Sequence, residues 1–159
     1  MFFNKKKKSE TIYNPINGTL KELAQVSDPV FSEKMMGDGF AVTPKSGVLY
    51  SPVNGTVSSV FPTKHALGIT TKNGLDVLIH IGIDTVELNG APFEIFVKEG
   101  QSVTPETKLA TINLPLLAEK EKENDVMVIF TNMDAIKSIE LKITGDPNFA
   151  TEIGTVVTK

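Results

Sequence analysis

The chain has 159 residues, 40% of them hydrophobic, which suits one domain with its own core. It contains no cysteine and no arginine and carries a net charge of -3. This composition excludes disulfides, thiol catalysis and the basic surface of a nucleic-acid-binding protein. Any phosphate chemistry must therefore work without an arginine of the chain's own. We expect a cytoplasmic protein, because the sequence shows neither a signal peptide nor an apolar run of membrane-spanning length.

The first ten residues, "MFFNKKKKSE", predict a flexible basic tail ahead of a single domain over residues 11–159. Four consecutive lysines repel one another and bury nothing, which is typical of a solvated terminus. The same lysines could instead make a transient contact with anionic lipid at the inner face of the membrane. The sequence leaves both interpretations open.

From residue 11 onward the pattern predicts an all-β fold, a compact antiparallel β-sandwich or barrel with one or two short helical segments. Turn-forming residues recur between brief stretches rich in Val, Ile, Thr and Phe. An internal echo, "NPINGTL" at 14–20 and "SPVNGTV" at 51–57, predicts two tight Asn-Gly turns that each lead into a strand. The echo suggests two pseudo-symmetric parts of the sheet structure.

The two histidines of the chain, His65 and His80, flank a predicted β-hairpin. Asn73-Gly74 predicts a two-residue turn, which pairs Leu67 with His80 and brings His65 beside His80 on one face. Strand alternation places His80 on the solvent-facing side, because the other side carries the aliphatic residues expected in the core. Those core residues are Val77, Ile79, Ile81 and Ile83.

The same register gives the histidine face a polar centre. It pairs Thr63 with Asp84, so both join the two histidines. The predicted apolar frame around this centre consists of Leu67, Leu78, Ile69, Phe61 and Val86. A polar centre in an exposed apolar frame is typical of a protein-binding active surface. Pro62 could end the pairing early, and a slip of one residue would turn one histidine to the other face.

Farther along the chain, four segments carry clear local signals. "LPLLAEKEKEN" at 114–124 predicts a helix, and "VMVIF" at 126–130 predicts a buried strand. "NMDAIKSI" at 132–139 predicts a single helical turn, and "EIGTVV" near the end predicts the last strand. The C-terminal region is therefore expected to be part of the fold.

Two neighbouring histidines allow two kinds of chemistry. A neutral imidazole can attack phosphorus to form a phosphohistidine, while a second imidazole donates to the phosphoryl oxygens and a threonine hydroxyl orients that second ring. A zinc-dependent hydrolase is the alternative, although zinc takes three or four ligands and the chain adds only Asp84 or Glu87 to the histidines. His65 and His80 could also form a partial zinc site that a partner's carboxylate completes.

Several segments resemble the glucose-family IIA component of the bacterial phosphoenolpyruvate-dependent sugar phosphotransferase system. They are "PVFSEKMMGDGFAVTP", "SPVNGTV", "FPTKHALGI", "GLDVLIHIGIDTVEL" and "NLPLLAEK", and the resemblance runs from about residue 12 to the end. It implies an antiparallel β-sandwich in which His80 is the phosphorylated histidine, His65 stabilises the phosphoryl group and Thr63 orients His65. Asp84 corresponds to an acidic residue that meets basic groups on partners.

The resemblance also implies partners and a docking surface. The donor is the phosphocarrier protein HPr, and the acceptor is a cysteine on the IIB domain of a membrane sugar permease. No cofactor is required, and we expect a monomer. Leucine stands at positions 67 and 78, where some relatives carry phenylalanine. The expected apolar rim consists of Val30, Phe31, Met35, Met36, Phe61, Leu67, Leu78 and Val86.

A third reading, a carrier like the lipoyl or biotinyl domains, is suggested by "SPVNGTV" and "EGQSV". Those domains display a lysine at a hairpin tip. Here the predicted tip is Asn73-Gly74, with Lys72 beside it. An intact mass without a covalent cofactor would dismiss this reading.

Overall fold

The computed structural model describes residues 9–142 and 144–159. Two α-helices occur in this part of the chain, α1 at Pro29–Ser32 and α2 at Leu114–Glu119, with short 3-10 turns at Leu23–Gln25, Thr85–Leu88 and Met133–Ala135. The strands are β1 Ser9–Tyr13, β2 Gly18–Glu22, β3 Asp38–Pro44, β4 Val48–Tyr50, β5 Gly55–Val60, β6 Ala66–Thr71, β7 Asp76–Ile81, β8 Phe93–Ile95, β9 Ser102–Val103, β10 Lys108–Ile112, β11 Val126–Phe130, β12 Ile136–Leu141 and β13 Glu152–Thr158.

The strands form three antiparallel sheets, which confirms the predicted all-β sandwich with two short helices. The largest sheet has the order β2-β3-β11-β7-β6-β5-β9, and the smaller ones have the orders β1-β13-β12 and β4-β10-β8. The main core lies between the sheets and includes Val77, Ile79 and Ile81 of β7, as the strand alternation predicts. No helix among the described residues is long and apolar enough to cross a membrane.

The two copies of the repeated heptapeptide make equivalent contacts with each other in the fold. Their two Asn-Gly turns lead into β2 and β5, which begin at Gly18 and Gly55 as predicted. The residue just before each copy donates its N–H to the proline carbonyl of the other copy. Tyr13 N lies 2.8 Å from the Pro52 carbonyl, and Tyr50 N lies 2.7 Å from the Pro15 carbonyl. The repeated heptapeptide therefore joins the sheets at two equivalent points.

The boundary of the predicted tail needs a correction of two residues. Ser9 and Glu10 belong to β1, where Ser9 pairs with Val157 of β13. The Glu10 carboxylate also accepts a hydrogen bond of 2.7 Å from the Thr71 hydroxyl, so cross-strand contacts outweigh the polar character of these residues. Residues 1–8, including the lysine run, lie outside the described residues.

The C-terminal half follows the sequence signals with two exceptions. Strands β11 and β13 match the predictions. The helical turn predicted over 132–139 forms only at Met133–Ala135, and residues 136–139 belong to β12. Helix α2, however, ends at Glu119 rather than at Asn124, and Glu121 has a φ of 58°. Residues 120–125 instead form a connection to β11, because the backbone groups near its end bond to the turn after β7.

The histidine hairpin is shifted by one residue from the predicted register. Ala66, not Leu67, lies opposite His80, and Leu67 lies opposite Ile79. The turn has three residues because Thr71 N donates to the Leu75 carbonyl at 2.9 Å and Gly74 takes a φ of 86°. Leu67 therefore points into the core with a relative exposure of 1%, as does Ile69.

The predicted pairs beyond the histidines do not form. Strand β6 starts at Ala66 and β7 ends at Ile81, so Thr63 does not pair with Asp84, nor Phe61 with Val86. Phe61 N bonds instead to the Ala66 carbonyl at 3.1 Å, which closes a local turn around Pro62.

Candidate functional site

His80 stands near the end of β7, on the face of the large sheet that turns away from the main core. Its neighbours across the sheet are Ala66 of β6 and Met127 of β11. Its ring Nδ1 lies 2.9 Å from the Gly82 carbonyl oxygen. Because a carbonyl only accepts, Nδ1 must carry the hydrogen of the neutral ring, and the lone pair is then on Nε2. The turn after β7 thus selects one tautomer.

Gly82 is the residue that makes this turn possible. Its φ is 75°, and a Cβ atom added to it would lie 2.5 Å from Thr85 Cγ2 and 2.9 Å from the Glu123 carbonyl oxygen. Both the backbone angle and the lack of space therefore require glycine. Asp84, with a φ of 59°, continues the turn and leaves its carboxylate exposed. This break in the strand also moves Ile83 out of the predicted core face and into a second cluster.

That second apolar cluster lies on the His80 side of the large sheet. It consists of Leu23, Val26, Phe31, Ala41, Ile83, Met127 and Ile129, with Leu78 packed against it. Phe31 of α1 is 5% exposed, and its ring centroid lies 4.9 Å from that of His80. His80 is therefore half-buried at the edge of a small core, whereas the strand pattern predicts an open surface.

His65 reaches His80 from the residue just before β6. Its backbone carbonyl accepts the Ile81 N–H at 2.8 Å, which fixes the position of His65 beside β7. The preceding residue, Lys64, has a positive φ of 62°. The two imidazole rings stand edge to face with centroids 5.1 Å apart. Sequence and structure thus agree that the histidines are neighbours, although the strand register differs.

Thr63 and Phe61 hold the ring of His65. The Thr63 hydroxyl oxygen lies 2.6 Å from His65 Nδ1, and the Phe61 ring packs edge-on with a centroid distance of 5.5 Å. His65 itself is 7% exposed. A short hydrogen bond and a ring contact in a buried site leave the imidazole little freedom to rotate, so its Nε2 keeps one direction.

Burial keeps both rings neutral. The pKa of His80 is lowered from 6.5 to about 4, mainly by desolvation and next by the neighbouring His65, against smaller opposing effects of the Gly82 carbonyl, Asp28 and Asp84. Desolvation also lowers the pKa of His65. Near neutral pH, His80 is therefore neutral and has a free lone pair, and His65 is uncharged and can donate or accept a hydrogen bond.

The apolar rim expected from the sequence divides into two groups. Five of its residues are exposed at the surface, with Met35 the most open at 69%. These exposed residues are Val30, Met35, Met36, Phe61 and Val86. The other three do not form an exposed rim: Phe31 packs on His80, Leu67 belongs to the main core and Leu78 is half-buried against the second cluster.

Sequence reasoning missed Asp28. Its carboxylate accepts the Val30 N–H at 2.9 Å and so caps α1, and its charge raises the pKa of His80. The signal was present in "SDPVF", since Asp followed by Pro at the first helical position marks a helix start. This cap positions the helix that places Phe31 over His80.

The site offers few ligands for a metal. Among the described residues, no group of three or more His, Cys, Asp and Glu side chains is placed to hold one. The two ring nitrogens of His65 and His80 could supply only part of a zinc shell, so a partner would have to supply the remaining ligands. The hydrolase alternative also needs a general base beside the metal, which neither histidine could be while it bound zinc.

Comparisons with known proteins place this fold in a class of phosphotransfer proteins. A family model described as phosphoenolpyruvate-dependent sugar phosphotransferase system, EIIA 1, matches residues 10–136. The chain belongs to this EIIA family, and it is a phosphotransfer component of sugar transport.

Individual relatives agree with the family. The chain is 50% identical over 148 residues to the PTS system glucose-specific EIICBA component of Streptococcus pneumoniae serotype 4, covering 93% of this chain and 20% of that protein. It is 43% identical over 138 residues to the PTS system glucose-specific EIIA component of Bacillus cereus, covering 87% and 84%. The structure of glucose permease IIA from Mycoplasma capricolum matches with a TM-score of 0.88 and 41% identity over 98% of both chains.

Proposed function

We propose that His80 accepts a phosphoryl group from phosphorylated HPr and passes it to a cysteine on the IIB domain of a membrane sugar permease. One observation carries the proposal. His80 is neutral, its Nδ1 is bonded to the Gly82 carbonyl, and its ring centroid lies 5.1 Å from that of the buried imidazole of His65. A phosphoryl carrier needs a nucleophile of this kind and a donor for the transferring oxygens.

In the accepting step, the Nε2 lone pair of His80 forms a bond to phosphorus. The bond from phosphorus to the donor's ring nitrogen breaks, and that nitrogen keeps the electron pair. The ring of His80 gains positive charge while Nδ1 retains its hydrogen. The Gly82 carbonyl, 2.9 Å from Nδ1, stabilises this charge through a charge-assisted hydrogen bond.

His65 supplies a hydrogen bond to the phosphoryl group. For its Nε2 to carry a hydrogen, its Nδ1 must accept one from the Thr63 hydroxyl, which lies at 2.6 Å. A neutral donor at a fixed position stabilises the charge that spreads over the equatorial oxygens during transfer. This role suits a chain that has no arginine to bind the phosphoryl group.

In the passing step, the thiolate sulfur of the acceptor attacks phosphorus and the electron pair of the N–P bond returns to Nε2. His80 is then neutral again and ready for another cycle. Neither step requires a cofactor, since the two rings, a hydroxyl and a backbone carbonyl provide every group used. A zinc ion bridged to a partner would bind the same ring nitrogens, so zinc and phosphoryl transfer would compete.

Docking is proposed to use the exposed rim. Val30, Met35, Met36, Phe61 and Val86 present apolar surface around the histidines, and methionine adapts to differently shaped partners. Asp84 adds negative charge at the edge of this surface. A partner with a complementary apolar patch and basic residues fits this rim, and its cation would add positive charge beside His80.

The proposal is tested by incubating the chain with phosphoenolpyruvate, the upstream enzyme and HPr, and by locating acid-labile phosphate by mass spectrometry. We expect phosphate on His80 of the wild type and none on His80→Ala. His65→Ala should still accept the group but pass it on poorly, because the ring acts on the transferring phosphoryl. Equal loss of both steps in His65→Ala would contradict this division of roles, and phosphate elsewhere would refute the proposal.

A further inference from the structure

The connection between α2 and β11, residues 120–125, holds the turn that orients His80. The Asp125 carbonyl accepts the Gly82 N–H at 2.8 Å, and the Glu123 carbonyl accepts the Ile83 N–H at 3.1 Å. These two bonds fix the peptide planes on either side of Gly82. Because the Gly82 carbonyl bonds to the His80 ring, the placement of this connection determines the orientation of the nucleophile.

The Asp125 side chain is in turn held from two neighbouring strands. Its Oδ1 accepts the Thr43 hydroxyl of β3 at 2.7 Å, and its Oδ2 lies 2.6 Å from the Lys21 ammonium of β2. Asp125 is 5% exposed, so the carboxylate of this ion pair is largely shielded from solvent. A nearly buried carboxylate with two partners is a rigid attachment, since leaving either partner unpaired there is costly.

We propose that Asp125 is a positioning residue for phosphoryl transfer. Its carboxylate is anchored by Lys21 and Thr43, and its carbonyl holds the Gly82 turn that keeps hydrogen on His80 Nδ1. Asp125 lies behind the ring and acts only through Gly82. This inference deepens the proposed function of His80 and rests on it.

The arrangement makes a specific demand on the residue type at 125. Any amino acid supplies the carbonyl that Gly82 requires, but only a carboxylate can satisfy the Thr43 hydroxyl and the Lys21 ammonium together. A residue that lost both contacts would leave the strand end free to shift, and the Gly82 carbonyl would shift with it. A displacement on the order of 1 Å at a reacting group is enough to lower a rate strongly.

The experiment measures the tautomer of His80 and the rate of phosphoryl acceptance in the full chain. Imidazole ¹⁵N shifts at neutral pH report which ring nitrogen carries hydrogen, and phosphorylated HPr serves as donor for the rate. In Asp125→Ala we expect a detectable population of the Nε2–H tautomer and a rate lower by about tenfold or more. Asp125→Asn, which can still accept from Thr43, should lie between this variant and the wild type.

Asp146→Ala is the matched control. Asp146 also accepts a threonine hydroxyl, that of Thr19 at 2.7 Å, and also pairs with a lysine, Lys45, but its side chain is exposed and it lies in the connection between β12 and β13. Ile153→Val, at a core-facing position of β13, controls for a general loss of stability. Both should leave the His80 tautomer and the transfer rate as in the wild type.

The two failures are distinguishable. A wild-type chain that takes no phosphate would refute the proposed function, whereas the tautomer readout needs no phosphate at all. Wild-type ¹⁵N shifts and a wild-type rate in Asp125→Ala, with a lowered Tm, would overturn the positioning role and leave a purely structural one. Should Asp125→Ala fail to fold, Thr43→Val takes its place, because it removes one of the two anchors of the carboxylate. We expect the same changes in tautomer and rate as for Asp125→Ala, but smaller.

Discussion

The lowered pKa of His80 predicts that the free energy of unfolding changes with pH because of this one residue. In the folded chain the ring stays neutral down to a pKa of about 4, while in the unfolded chain it takes up a proton near 6.5. Between these values the unfolded state binds more protons, so the free energy of unfolding falls as pH falls. At about 1.4 kcal/mol per pH unit, the loss approaches 3 kcal/mol at pH 4.

His80→Gln isolates this contribution, because glutamine is polar and similar in size but does not titrate. Urea unfolding of wild type and variant at several pH values between 4 and 7.5 gives two stability curves. Their difference removes the titration of most other groups. We expect the wild type to lose about 3 kcal/mol relative to His80→Gln from pH 7 to pH 4, with most of the change below 6.5. A difference that stays constant with pH would show that the folded ring titrates normally and is not the neutral, desolvated nucleophile of the proposed mechanism.

Three further predictions concern the surroundings of the ring. Thr63→Val should lower the rate at which phosphorylated His80 passes its group to a IIB domain roughly 10- to 100-fold without changing the circular dichroism, whereas Thr63→Ser, which keeps the hydroxyl, should stay near the wild-type rate. Phe31→Ala should cost about 3 kcal/mol in urea unfolding and should raise the pKa of His80 in an NMR titration, because water reaches the ring; an unchanged pKa would argue against desolvation as its main cause. Asp84→Lys should weaken binding to HPr, measured by titration calorimetry, more at low salt than at high salt, and an effect independent of salt would exclude a role as an exposed rim charge.

The hairpin shows where sequence reasoning succeeded and where it failed. The composition of the strands and the Asn73-Gly74 signal located the hairpin correctly, because strand propensity and turn chemistry are local. The register depended on one additional residue in the turn. The Thr71 hydroxyl accepts the Leu75 N–H at 3.1 Å and Leu75 is fully buried, so the turn closes around Lys72, Asn73 and Gly74. That choice is made by tertiary packing, which a two-residue turn rule does not contain.

The rim shows a related limit. Exposure of Met35 and Val86 agrees with the expectation, but Leu67 and Phe31 are buried. The burial of Leu67 follows from the shifted register. The burial of Phe31 follows from α1, a helix of one turn that packs over His80 because Asp28 caps it. Short capped helices carry little periodicity, so their packing against a sheet is difficult to foresee from the pattern of apolar residues alone.

The predicted proximity of the two histidines is correct although the predicted strand register is wrong, and this has a physical reason. Neither ring depends on regular strand pairing for its final direction: His65 precedes β6 after the positive φ of Lys64, and His80 is oriented by the turn at Gly82. In a regular sheet, a shift of one residue would have put the two side chains on opposite faces. Here the chain leaves regular β geometry on both sides of the pair, and hydrogen bonds from Thr63 and Gly82 set the ring directions. Strands β6 and β7 bring the backbones of the two histidines together, while the irregular residues at the ends of these strands orient the two rings. Substitutions at those turns should therefore change transfer rates more than substitutions of equal size in the strands between them.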